Sequence, residues 1–237
     1  MKVAEKQWKD IWENRADRVE TKDHNELLKL NGYDNPRSLL TPESLESAQE
    51  FYWKLLNLQP TDSIFEVGCG SGAFLYNLWK DGYKVGGLDF SQNLIDVATA
   101  SLKGGLFIQG EATTLSTIPK YDHVLSFGCV FYFPSLEYVE EVILKMLEKA
   151  EKTVSLYELP DKAFQKECES MRRETVGPTY DTEYQGLQHL YFEKQWFLDF
   201  AYKHDLHCTI FDQVVPDYES GKYRFCVVLK GNRSKNK

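Results

Sequence analysis

Residues 66–72, Glu66-Val67-Gly68-Cys69-Gly70-Ser71-Gly72, put an acid and three glycines into one short turn. Glycine tolerates positive φ and lets a ligand come close to the backbone. A helix starting behind such a turn would offer unsatisfied N–H groups to an anionic group. Two further acids follow, Asp89 in Gly87-Leu88-Asp89-Phe90-Ser91 and Glu111 in Gly110-Glu111-Ala112. Three acids beside a glycine turn suit a ligand with a ribose, an exocyclic amine and a cationic end. They suit a pyrophosphate poorly, because uncompensated like charges repel it. Gly68, Gly70 and Ala73 also satisfy the GxGxxG/A spacing of dinucleotide sites. A nicotinamide-dependent oxidoreductase is therefore the competing reading, and the acids weigh against it.

The elements that must position these residues are legible from apolar patterning. Strands are predicted at 63–67, 84–88, 106–109, 123–127 and 153–156, separated by helices at 73–80, 92–100 and 136–150. Such alternation gives a parallel sheet with right-handed crossovers, so each acid falls at the carboxyl end of a successive strand, where open sheets bind ligands. Before Thr61 the chain reads as helical. One helix ends at Asn31-Gly32, and another runs from Thr41-Pro42 to about Leu58. In the last third, 162–173 and 194–204 read as helices, 175–191 as a polar, aromatic-dotted stretch, and 207–211 with 224–229 as an antiparallel hairpin at the sheet edge. The expected architecture is a Rossmann-like, doubly wound, mostly parallel seven-stranded α/β sheet. Residues 1–60 form an N-terminal helical lid or extension, 61–230 the α/β domain with its C-terminal antiparallel hairpin, and 231–237 a basic tail.

Bulk properties remove several classes. The chain has 237 residues, 42% of them hydrophobic, which is ample for a packed core. A net charge of −8 argues against a broad grip on nucleic acid or anionic membranes. No apolar run of the roughly 20 residues needed to span a bilayer occurs. Five cysteines without a CxxC pair suggest neither a disulfide framework nor a metal site. Reduced thiols and the absence of an apolar leader fit a cytoplasmic protein with no metal, no nucleic-acid partner and no membrane partner.

With the motifs in place, residues 63–156 resemble the class I S-adenosylmethionine-dependent methyltransferases. The resemblance implies S-adenosyl-L-methionine as cofactor and S-adenosyl-L-homocysteine as product. Its first motif is matched by Glu66, Gly68, Gly70 and Gly72, with Cys69 contributing backbone. The ribose-binding acid is matched by Asp89, flanked by Phe90 and Ser91. The adenine-edge position is matched by Gly110, Glu111 and Ala112, with Glu in place of the usual Asp. Ser126, Phe127 and Gly128 fall where the family contacts the methionine moiety. The resemblance implies methyl transfer to an N or O atom, with a non-catalytic adenosyl-binding partner subunit as an alternative. The Asp/Asn-Pro-Pro-Tyr/Phe motif of DNA amino-methylating enzymes and the Pro-Cys dipeptide of cytosine-5 enzymes are both missing, which favours a small-molecule acceptor.

The acceptor must be reached from the N-terminal helices, the segment after the fourth strand, or residues 175–191. Within these, His189 is the candidate base or orienting group, because its ordinary pKa lies near neutrality; an ordinary loop histidine is the other reading. Tyr132 is expected near the reaction centre, Tyr184 and Tyr191 in the pocket wall. Arg224 is expected either to pair a substrate carboxylate or phosphate, or to form a structural ion pair.

Overall fold

A computed structural model describes residues 3–15, 21, 23–35 and 39–231, with side chains from Trp8 onward. The expected tail lies outside the described residues apart from Gly231, which ends the last strand. The strands are β1 (Ser63–Val67), β2 (Lys84–Asp89), β3 (Leu106–Gln109), β4 (Tyr121–Phe127), β5 (Ala150–Pro160), β6 (Leu206–Asp212) and β7 (Arg224–Gly231). Their order is β3-β2-β1-β4-β5-β7-β6. The first five are parallel, and β7 runs antiparallel between β5 and β6.

The helices are α1 (Val3–Glu13), α2 (His24–Leu30), α3 (Pro42–Leu56), α4 (Tyr76–Lys80), α5 (Gln92–Ser101), α6 (Leu136–Lys149), α7 (Gln165–Val176), α8 (Tyr180–Glu183) and α9 (Lys194–Lys203). Helix α3 starts where the sequence says it should. Thr41 and Ser44 form a reciprocal capping box, Pro42 occupies the first turn, and Asn57 closes the helix in the left-handed region. Ser91 caps α5 by accepting from the Leu94 N–H.

Both faces of the sheet are covered, and the strand period decides which residue serves which face. Phe65, Val124, Leu156 and Val227 pack with Val139, Ile143 and Met146 of α6 and Phe197 of α9. Their chain neighbours Ile64, Leu125, Tyr157 and Cys226 pack on the other face with α3, α4 and α5. That second core includes Leu27 and Leu28 of α2 and Leu45, Ala48 and Tyr52 of α3, so these two N-terminal helices share the sheet's own core.

Three expectations need correction. The helix read at 73–80 shrinks to α4, because residues 71–75 continue the turn. Strand β5 extends beyond 153–156 at both ends, where Glu151, Lys152 and Glu158 broke the apolar signal. The stretch 175–191 is not simply a loop: α7 runs to Val176, and α8 follows after a short 3₁₀ turn. Among the described residues no helix is long and apolar enough to cross a membrane, and no cluster of three or more His, Cys, Asp or Glu side chains is placed to hold a metal ion.

Candidate active site

The strand order reverses between β1 and β4, and there the connections leave the sheet in opposite directions and open a crevice at the carboxyl ends. The glycine turn after β1 and Gly128 after β4 meet at this point. Gly68 (φ 77°), Gly70 (φ 52°) and Gly128 (φ 66°) all occupy the left-handed region. A Cβ on Gly68 would strike the Cys129 side chain, and one on Gly70 would strike the Asn31 carboxamide.

The turn is cross-tied rather than open. Its Gly68 N–H donates to the Leu88 carbonyl at 2.7 Å and its Gly72 N–H to the Cys69 carbonyl at 2.9 Å. The Ser71 N–H donates to Asn31 Oδ1 at 2.8 Å, and Asn31 Nδ2 donates back to the Cys69 carbonyl. The N–H groups of Gly68, Cys69, Gly70, Ser71 and Gly72 are therefore spent inside the protein, which weighs against a pyrophosphate at this turn and so against the nicotinamide reading.

Asp89 faces the resulting cavity with only 8% of its surface exposed. Its Oδ2 accepts from the Gly70 N–H at 2.8 Å and its Oδ1 from the Ser91 N–H at 3.0 Å. Burial pushes its pKa up to about 6, and the backbone donors of Ser91 and Gly70 hold back a larger rise. Each oxygen keeps acceptor capacity for the hydroxyls of a sugar. Glu111 sits on the rim, half-exposed and ion-paired with Lys9 of α1 at 2.5 Å. Phe90, Leu94, Ala112, Phe133 and Tyr138 supply apolar wall between the two acids.

The remaining candidates divide. Phe127, Gly128 and Gly110 line this cavity. Glu66, Cys69, Gly72, Ser91 and Ser126 do not line it. Glu66 lies behind the wall at 1% exposure; burial, then the nearby Asp89 charge, push its carboxyl well above the usual range, so it is held neutral. The expectation that Glu66 faces a shared cleft with Asp89 and Glu111 is thus corrected: two acids reach the cavity and the third stays in the strand. Cys69 packs its side chain towards Gly87 and, like Gly72 and Ser91, shapes the turn. Its thiol is pushed well above the ordinary range by burial, and no base activates it.

A second cavity of about 500 Å³ adjoins the first, and Gly128, Tyr132, Tyr33, Asn31, Trp8 and Trp12 line both. The expected acceptor-side residues Tyr132, Tyr184, His189, Tyr191 and Arg224 all line this chamber. His189 is not free to act as expected. Arg172, on α7, donates one guanidinium N–H to His189 Nδ1 and another to the Tyr191 hydroxyl. A guanidinium can only donate, so Nδ1 is the acceptor and the proton resides on Nε2. Burial and the charges of Arg172 and Arg224 hold the His189 pKa well below its ordinary value. The ring is a neutral donor stacked on Trp8 at 4.9 Å, which argues against a general-base role. Tyr132 lies edge-on to Trp8 at 4.6 Å, and burial raises its phenol so that it stays protonated.

Sequence reasoning missed Glu158, Arg172, Asn31 and Tyr33. Glu158 ends the straight run of β5 with a left-handed φ of 67°, lines the chamber and is 1% exposed. It accepts from Gln213 Nε2 and from the Tyr218 hydroxyl. Its pKa is raised by burial, against the pull of Arg224. An acid near the carboxyl end of a parallel strand was the very signal used for Asp89, and it was available in Tyr157-Glu158-Leu159-Pro160. Arg172 had no such signal, since it reads as one more charge on a polar helix.

Residues 64–152 match the family model of a methyltransferase domain. Among curated proteins, an uncharacterized protein of Haemophilus influenzae is 30% identical over 173 residues, covering 65% of this chain and 63% of that protein. This chain therefore spans less than two thirds of that relative's length. Among solved structures, the plantazolicin methyltransferase BpumL, in complex with a triazolic desmethylPZN analog and SAH, matches with a TM-score of 0.65 at 17% identity, over 98% of this chain and 100% of that one. The magnesium protoporphyrin IX methyltransferase ChlM from Synechocystis PCC 6803, with bound SAH, matches with a TM-score of 0.60 at 14% identity, over 79% and 83%. Those two likenesses establish the shared fold, and the family match falls on the parallel strands that carry the cavity. Over residues 64–152 the chain is thus similar to methyltransferase domains, and its fold is the one shared by these S-adenosylmethionine-dependent methyltransferases.

Proposed function

We propose that the protein transfers a methyl group from S-adenosyl-L-methionine to an N or O atom of a small-molecule acceptor. The observation that carries this reading is the pair of joined cavities. One is acid-lined, at the sheet's switch point; the other is aromatic and polar; and they meet at Gly128 and Tyr132. The residues fit the cofactor: Asp89 would hold the ribose hydroxyls and Glu111 the adenine edge. The turn around Gly68 and Gly70 would allow close backbone approach, and the wall of Phe90, Ala112 and Phe133 would receive the base. When bound, the cofactor supplies an activated methyl group on a sulfonium. The two solved neighbours named above are the methyltransferases of plantazolicin and of magnesium protoporphyrin IX, in keeping with a discrete molecule as acceptor.

The chain's own work is then positioning and proton handling. Alignment of acceptor and methyl group is worth roughly 7–11 kcal/mol in well-oriented reactions. Trp8 and Trp12 of α1 roof the junction and keep water from it. The neutral His189 orients an acceptor through Nε2, and Glu158, with its burial-raised pKa, takes the proton when the acceptor must lose one.

Titration calorimetry with S-adenosylhomocysteine tests the reading. Binding in the micromolar range is expected for the wild type. Asp89→Ala is expected to lose about 10–100-fold, the worth of charge-assisted hydrogen bonds. The absence of heat with both the cofactor and its product would remove the proposal.

A further inference from the structure

The chamber is unusual in the partners its cations lack. Arg15 is matched by Asp34 at 2.9 Å. Arg172 spends its bonds on two neutral groups, His189 and Tyr191. Arg224 is half-buried over the Phe131 ring, its guanidinium carbon 4.8 Å from the centroid, and its buried Nε and Nη1 have no hydrogen-bond partner among the described residues. His189 Nε2, the proton-bearing nitrogen, is also without one. Among the described residues neither Arg172 nor Arg224 has a carboxylate within ion-pair distance. The acid nearest in effect, Glu158, has its oxygens engaged by Gln213 and Tyr218 instead. Glu183, also on the chamber wall, lies on α8. Two guanidinium groups and an imidazole N–H thus converge on one cavity with donors to spare, in a setting where unmatched donors are rarely retained.

We infer that the acceptor is a small oxyanion-bearing molecule, a carboxylate or a phosphate, whose anionic group is held by Arg224 and Arg172 with help from His189. Planar guanidinium groups match the paired oxygens of such groups, and the aromatic wall of Trp8, Tyr132 and Tyr184 receives the rest of the molecule. This rests on the methyl-transfer reading for the word acceptor, but the anion preference is a property of the chamber alone.

The test therefore measures the chamber with and without S-adenosylhomocysteine. Benzoate, phenylphosphonate, benzamide and benzylamine are titrated into the whole protein, followed by calorimetry and by tryptophan fluorescence, to which Trp8 reports. Benzoate or phenylphosphonate is expected to bind at least about tenfold more tightly than benzamide and benzylamine. The better of the two anions tells carboxylate from phosphate. Arg224→Gln and Arg172→Gln should each erase the preference while leaving S-adenosylhomocysteine binding unchanged. Arg172 lies on α7, outside the sheet, so its variant carries the test should the Arg224 variant, on β7, fail to fold. Equal binding of the neutral or cationic probe, binding by none of the four, or a preference that survives both variants would overturn the inference. A missing heat for S-adenosylhomocysteine alone would instead sink the methyl-transfer reading and leave the chamber result standing.

Discussion

The two cavities share a wall and are built on opposite principles. The cofactor-side cavity hangs on strand ends: its turn, its Asp89 and its glycines are fixed by backbone hydrogen bonds to neighbouring strands, and the N–H donors of its turn have partners inside the protein. The chamber hangs on helices α1 and α7 and on the ends of β5 and β7, and it holds buried donors with no partner among the described residues. A surface that satisfies itself is shaped for a constant ligand. A surface that leaves guanidinium groups unmatched suits a ligand that brings the missing acceptors.

The sharpest break between the two sides is expected at Glu158. Once radiolabelled transfer from a metabolite extract has identified an acceptor, Glu158→Gln should lower turnover by about 10²–10⁴-fold, the usual worth of a general base, with S-adenosylhomocysteine affinity unchanged. An unaltered turnover would show that the acceptor arrives already deprotonated and would return Glu158 to a structural role.

A smaller effect separates the sides by pH. Asp89 has a raised pKa of about 6 in the ligand-free protein, and sugar hydroxyls would donate to its ionised form. Binding therefore favours proton release. Affinity for S-adenosylhomocysteine should be flat above about pH 7 and should fall by about tenfold per unit below pH 6. His189 has its pKa held low and should add no step of its own near pH 6.5. Calorimetry across pH 5–8 measures this, and a flat profile that persists to pH 5 would contradict the assignment of Asp89.

The smallest effect is at the rim. Lys9 and Glu111 are partly exposed, and such pairs contribute about 0.2–1 kcal/mol. Lys9→Met should shift the melting temperature only slightly, and the shift should shrink further in high salt. A large loss of stability would mean that α1 is held chiefly by this pair and not by Trp8 and Trp12.

What the sequence disclosed follows the same division. Strand positions, the glycine turn, Asp89 and Glu111 were legible because strand ends and tight turns are encoded locally, in alternating apolar residues and in glycines that must adopt positive φ. The burial of Glu66 was not legible, because its place in sequence gives the strand but not how far the strand's end recedes behind the turn. His189 was expected as a base or an orienting group, and the contact that decides between them, with Arg172, comes from seventeen positions away on another element. Trp8 and Trp12 showed helical spacing, but nothing local says that their helix would lie over the crevice. Long-range docking of helices decides the chamber, and a single sequence carries that information only diffusely.

Helix α1 spans eleven residues and stands against both cavities at once, with Trp8 stacked on His189 and Lys9 tied to Glu111. One helix therefore walls two cavities, and a substitution that disturbs its packing would be felt on both sides at once.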